Sequence, residues 1–341
     1  MTSLRSLRSL AAGSLVVMAA SSAAATPQHP EIDRASAERV IRVLAADDME
    51  GRSAFSPAAM RAAQFIAGEF EAIGLTPLPG NDGYLQRFTA TPRNRGRGGR
   101  GAGGAEGAAQ QPPEYELANV VGIIEGNRAD QIVLFSAHYD HVGLRPGGED
   151  TIANGANDNA SGTTAVIELA RYFRGRPRPE RTLMFVAFTA EEGGGLGSRH
   201  FSEQLDPGAI VAMFNIEMIG KPAVSGPNTA WITGYDRSSF GAILSQAVEG
   251  TIYEFYPDPY PQQNLFYRSD NATLARLGVP AHTISTTPID VDPDYHRVSD
   301  EVETLDLDHM TNTIRAIALA AQTIVSGAAT PTRVDPETVR R

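Results

Sequence analysis

Across residues 32–75 apolar side chains recur at three- and four-residue intervals: Val40, Val43 and Leu44, then Ala63, Ile66, Phe70 and Ile73. That spacing predicts two opening helices, each with one face buried, and Gly74 stands where a left-handed residue would stop the second. Beyond residue 113 the period shortens. Runs rich in β-branched and aromatic residues at 119–124, 131–137, 181–188, 209–216 and 279–285 read as strands, with helical patterns between several of them, such as Val166, Leu169, Ala170 and Phe173. Strands alternating with helices predict an α/β fold, a mixed, mostly parallel central sheet covered on both faces. In such folds ligands gather at the carboxyl ends of the strands.

Two stretches break this rhythm. Residues 92–113 are almost entirely Arg, Gly, Ala and Gln, too poor in apolar surface to offset the entropy of ordering, and read as a disordered surface insertion. Gly96, Gly98 and Gly101 formally match a dinucleotide-binding fingerprint there, but no strand precedes them and no helix follows. At the start, Arg5 and Arg8 precede an apolar run over 10–20 and the small residues Ala23, Ala24 and Ala25. Residues 1–25 therefore read as a cleavable leader, the apolar run being shorter than the roughly 20 residues a membrane span requires. Export to the periplasm or medium follows, with one domain over 26–329 and a tail over 330–341.

Composition narrows the chemistry. The chain has no Cys, so no disulfide staples the fold and any zinc must be held by His, Asp and Glu. A net charge of -11 opposes nucleic-acid binding. Once the leader is removed, no second apolar segment is long enough to engage a membrane as a span.

The candidate residues follow predicted strands. In SAHYDHVG, His138 and Asp140 leave the strand ending at Ala137, two residues apart and so on one side of an extended chain, where the carboxylate can hold the imidazole tautomer. In GANDNASG, Asp158 lies just before a helix starting near Ser161, and its two oxygens suit it to bridge two cations. Glu191 and Glu192 follow a buried strand, where adjacent acids repel unless a cation is near; one can ligate and the other move a proton. Glu217 in NIEMIG and His296 in DPDYHRVSD leave two more strands. Two His and three carboxylates, one shared, suit a pair of zinc ions roughly 3.5 to 4 Å apart.

The order HYDH, GANDNASG, AEE, NIEMIG and DYH resembles the co-catalytic zinc aminopeptidases of peptidase family M28, with flanks such as LAADDMEGR, NVVGIIEG and RSDNATLARLGVP, over residues 32–323. The resemblance implies a three-layer α/β/α zinc exopeptidase fold, two zinc ions per chain and peptide substrates with a free amino terminus. It implies that Asp158 bridges, that Glu192 and His296 complete one metal, and that His138 and Glu217 complete the other. Glu191 would be the general base, Asp140 would orient His138, and Met218 and Tyr295 would line the pocket for the first side chain.

Two positions depart from the family pattern: Glu217 stands where Asp is usual, and Asn271 where many members have His. His141 reads as a partner outside the ligand set, and His29, His200, His282 and His309 as structural or surface residues. The competing functions are a glutaminyl cyclase-like enzyme with one zinc, a carboxypeptidase using Arg268 to clamp a terminal carboxylate, and a binding module that has lost its metals. The intact ligand set favours the two-metal hydrolase.

Overall fold

The computed structural model describes residues 31–92, 113–289 and 291–339; the predicted leader and, but for its end residues, the predicted insertion lie outside them. The two opening helices form as the periodicity predicts. Asp33 accepts the Ala35 N–H at 3.0 Å and starts α1, Arg34–Leu44, which buries Ala37, Val40, Ile41 and Leu44. Pro57 opens α2, Pro57–Ile73, and Gly74 ends it at φ 81°, donating to Phe70 and Glu71.

The strands are β1 (Thr76–Pro77), β2 (Leu85–Ala90), β3 (Tyr115–Ile124), β4 (Arg128–His138), β5 (Gly143–Leu144), β6 (Ile152–Ala153), β7 (Arg181–Phe188), β8 (Ile210–Ile216), β9 (Thr229–Ile232), β10 (Glu254–Pro257) and β11 (Ala281–Ser285). Between and after them run α3 (Ser161–Arg174), α4 (Leu196–Ser202), α5 (Phe240–Ala247), α6 (Asn271–Ala275) and α7 (Leu307–Val325). Nine strands form one mixed sheet in the order β1-β3-β7-β4-β8-β11-β9-β10, with β2 also on β3; β5 and β6 pair separately. The four central strands β7, β4, β8 and β11 are parallel, while β1, β2 and β3 join antiparallel on one flank and β9 meets β11 antiparallel on the other.

Alternation along the central strands builds two cores. Val133, Phe135, Leu183, Phe185, Ala212 and Phe214 face α1, α2, α3 and α7, while Leu134, Met184, Val186 and Met213 face Phe201 of α4 and Leu274 of α6. This is the expected three-layer arrangement. Phe135 is its hub, with ring centroids 5.5, 5.4 and 4.9 Å from Phe173, Phe185 and Phe214. Truncating such a ring to Ala costs about 3 to 5 kcal/mol.

Two expectations change. Strands β1, β2, β5, β6, β9 and β10 were not predicted, and residues 330–339 pack onto the domain: Val334 and Val339 are buried in the second core, and Arg333 Nη1 donates to Ile210 O at 2.8 Å. Among the described residues no helix is long and apolar enough to cross a membrane.

Candidate metal centre

All five expected ligands meet beyond the carboxyl ends of the parallel strands. His138 closes β4, Glu217 follows β8, Glu191 and Glu192 lie in the turn after β7, Asp158 precedes α3, and His296 comes from the loop after β11. Asp158 divides its oxygens: Oδ1 lies 3.4 Å from His138 Nε2, and Oδ2 lies 3.1 Å from His296 Nε2 and 3.6 Å from His141 Nδ1. Glu217 Oε1 is 3.9 Å from His138 Nε2, while Glu192 Oε1 is 2.9 Å from His296 Nε2 and 3.4 Å from His141 Nδ1. The donor atoms of His138, Asp158 and Glu217 lie within 4.8 Å of one another, as do those of His141, Asp158 and Glu192. The set therefore splits into two groups that share Asp158.

The loop bearing Asp158 is held by its neighbours in GANDNASG. Asn157 Oδ1 accepts the Gly220 N–H at 2.9 Å, and Asn159 Oδ1 accepts the Met218 N–H at 3.1 Å while its Nδ2 donates to Ile216 O at 3.0 Å. Both asparagines thus pin the chain carrying Glu217. Ala190, Met218 and His296 all sit at positive φ, 56°, 53° and 59°. A side chain with a Cβ is uncommon there, and such strain persists where surrounding bonds over-determine it, often at functional sites.

Asp140 departs from expectation. Its carboxylate lies 3.8 Å from His138 Nδ1, beyond hydrogen-bond reach; the imidazole is oriented by the backbone carbonyl of Asp140, 3.0 Å away. The carboxylate instead accepts the N–H groups of Glu191 at 3.0 Å and Glu192 at 3.3 Å, because the chain turns after His138. Asn271 has a structural role: its Nδ2 donates to Phe266 O at 3.1 Å and its Oδ1 accepts from Thr283 Oγ1 at 2.9 Å.

The model of peptidase family M28 matches residues 119–321, more than half the chain, running from within β3 past His296. The chain belongs to peptidase family M28. Among its relatives, a probable leucine aminopeptidase of Trichophyton verrucosum is 30% identical over 227 residues, which are 61% of this chain and 58% of that protein. Aminopeptidase YwaD of Bacillus subtilis is 36% identical over 107 residues, 30% of this chain and 22% of its own. This M28 chain thus spans little more than half the length of the first of these relatives and less of the second. The structure of BSAP, a zinc aminopeptidase from Bacillus subtilis, superposes with a TM-score of 0.68 at 19% identity, over 89% of this chain and 98% of that one. A glutaminyl cyclase of Bacteroides thetaiotaomicron superposes at 0.60 and 19% identity, over 88% and 99%. At such identities the likeness concerns the fold.

Electrostatics give the M28 site its character. His138 Nε2, His141 Nδ1 and Glu217 Oε2 are buried without a hydrogen-bond partner. Nitrogen and oxygen donors left bare in this way fit divalent cations, which satisfy them at once. Burial lowers the pKa of His296, but Asp158 and Glu192 outweigh it and raise it to about 10; burial likewise opposes, and Glu191, Asp158 and Glu217 overcome it, at His138. The potential is therefore strongly negative. Burial, reinforced by Glu217, Asp270 and Glu192 and opposed by His138, pushes the Glu191 carboxyl well above the usual range. Burial also raises Glu217 to about 7. At Glu192 burial is outweighed by His141 and His296, which hold its carboxyl below the usual range.

Sequence reasoning missed two buried residues on which the site rests. Asp300 accepts the N–H groups of Asn157 and Asp158 at 2.9 and 3.0 Å. Arg52, in the LAADDMEGR flank, is fully buried and donates to the carbonyls of Leu44, Tyr139, Asn154 and Gly155 at 2.5 to 2.8 Å. It ties the His138 loop to the Asp158 loop.

A narrow pocket opens beside Glu217, lined by Met218, Trp231, Leu265, Ile289 and Tyr295 among others. It contains the two residues expected there. Arg268 is the cation on its lining, and its Nη2 lies 3.3 Å from the Tyr295 hydroxyl.

Proposed function

We propose that this protein is a zinc-dependent aminopeptidase with a dinuclear site and Glu191 as general base. The observation that carries the reading is the division of Asp158, one oxygen toward His138 and Glu217 and the other toward Glu192 and His296. Zinc is favoured by mixed nitrogen and oxygen donors without Cys. Two ions held there would supply Lewis acidity for a carbonyl and lower the pKa of a water toward about 7.

The chain's own groups do the rest. Glu191 takes a proton from the water that attacks the first peptide carbonyl, and gives it to the departing amine as the C–N bond breaks. Asp140 fixes the backbone of Glu191 and Glu192, so that base and ligand keep their separate places. The pocket beside Glu217 receives the first side chain, and Met218, Trp231, Leu265 and Ile289 favour an apolar one. A surplus of carboxylates around the site favours a substrate's free ammonium over a terminal carboxylate, which supports an aminopeptidase over a carboxypeptidase.

The test is metal content and turnover in the same preparations. Wild-type protein is expected to hold two zinc ions and lose aminoacyl-anilide hydrolysis on chelation; Asp158→Ala should lose both ions. A wild-type protein that purifies with one ion and cyclises amino-terminal Gln would replace this reading with the cyclase.

A further inference from the structure

We infer that His141 is a sixth metal ligand, coordinating through Nδ1 the ion held by Glu192 and His296. The inference rests on the dinuclear reading above and adds to it a residue of this chain outside the expected set.

Geometry is the first support. Zinc bonds of 2.0 to 2.1 Å in a tetrahedral arrangement put neighbouring ligand atoms about 3.3 Å apart. His141 Nδ1 lies 3.4 Å from Glu192 Oε1 and 3.6 Å from Asp158 Oδ2. His296 Nε2 approaches the same two oxygens at 2.9 and 3.1 Å, and the two imidazoles meet edge to face with centroids 5.6 Å apart. One pair of carboxylate oxygens is therefore approached by two imidazoles, each at about ligand spacing.

The second support is the state of the ring. His141 is buried, and neither of its nitrogens makes a hydrogen bond. A buried imidazole kept only for packing leaves both nitrogens unsatisfied, and binding a cation through Nδ1 relieves one of them. Its placement is also fixed by the backbone. Gly155 sits at φ +58° against the ring, and a Cβ there would fall 2.4 Å from His141 Cγ. Gly155 O in turn accepts from Arg52, and Arg52 O accepts the His141 N–H at 3.4 Å. The ring is clamped with Nδ1 toward the carboxylates.

The consequence is asymmetry. One ion would have four protein donors, from Asp158, Glu192, His296 and His141, and the other three, from Asp158, Glu217 and His138. A site with three protein ligands keeps a position open for water or substrate, whereas four close it. The ion at Glu192 should therefore bind first and tighter, and the open position should belong mainly to the ion at His138 and Glu217.

The experiment uses the full mature protein, labelled with ¹⁵N-histidine and loaded with two equivalents of ¹¹³Cd. Three histidines should show ¹¹³Cd–¹⁵N coupling, His138 and His296 through Nε2 and His141 through Nδ1, and His141→Gln should remove one of the three. Zinc affinity at the tighter site should fall more than about 100-fold in that variant, beyond the 10- to 100-fold typical of losing a partner outside the ligand set. Two coupled histidines in the wild type would overturn the inference and leave the dinuclear reading intact. Failure to bind cadmium or zinc at all would overturn both. The wild-type count stands even if the variant does not fold.

Discussion

Asp300 holds Asp158 from below: its two carboxylate oxygens accept the N–H groups of Asn157 and Asp158 at 2.9 and 3.0 Å, and its own carbonyl accepts Ala156 N–H at 3.0 Å. The proposed shared ligand is thus set by an acid whose own oxygens are taken up by backbone N–H groups. Asp300→Ala should weaken zinc binding about 10- to 100-fold at both sites, as expected when a ligand's support is removed. Competition with a chelator measures this; an affinity equal to wild type would deny Asp300 its positioning role.

Glu191 neighbours ligands without being assigned as one. Glu191→Gln should keep both zinc ions and lower kcat by about 10²- to 10⁴-fold, the range of a general base. Metal analysis beside steady-state kinetics checks it. Full turnover would move the proton transfer to another group.

Arg52 serves the fold and the site together. Replacing it by Met leaves the carbonyls of Leu44, Tyr139, Asn154 and Gly155 without their buried donor. A loss of roughly 3 to 5 kcal/mol in stability is expected, in the range seen on breaking a buried network. Urea unfolding of Arg52→Met against wild type reads it directly.

His282 gives the fold a pH dependence separate from the metals. It is buried, its Nδ1 2.9 Å from Thr233 O and its Nε2 2.7 Å from Ser238 Oγ, and burial lowers its pKa to about 4, assisted by Arg237. The unfolded chain binds this proton near pH 6.5 and the folded chain only near 4, so stability is retained above 6.5 and lost as pH falls between them. From pH 7 to 5 His282 should cost about 2 kcal/mol. The difference between wild type and His282→Asn in unfolding free energy should change by that amount; an unchanged difference would mean the imidazole is not kept neutral.

The candidate residues were legible because strands end abruptly. His138 and Glu217 follow long apolar β-runs directly, and a polar, metal-capable side chain at that point stands out. What failed was extending strand geometry past His138. The chain turns, so Asp140 aims its carboxylate at Glu191 and Glu192, and His141 swings in to face Asp158. Arg52 and Asp300 were hidden for another reason: they act on backbone carbonyls and N–H groups far away in sequence, which leaves no local pattern. Strands β9 and β10 span four residues each, too few for alternation to separate them from loop.

The most direct test of the central claim is zinc titration into chelated protein, followed by release of leucine from a leucyl peptide with a free amino terminus and from its N-acetylated counterpart. Activity on the free peptide should reach its maximum as the second equivalent of zinc binds, while the acetylated peptide stays intact. Full activity with one equivalent, or equal cleavage of the blocked peptide, would contradict a dinuclear aminopeptidase.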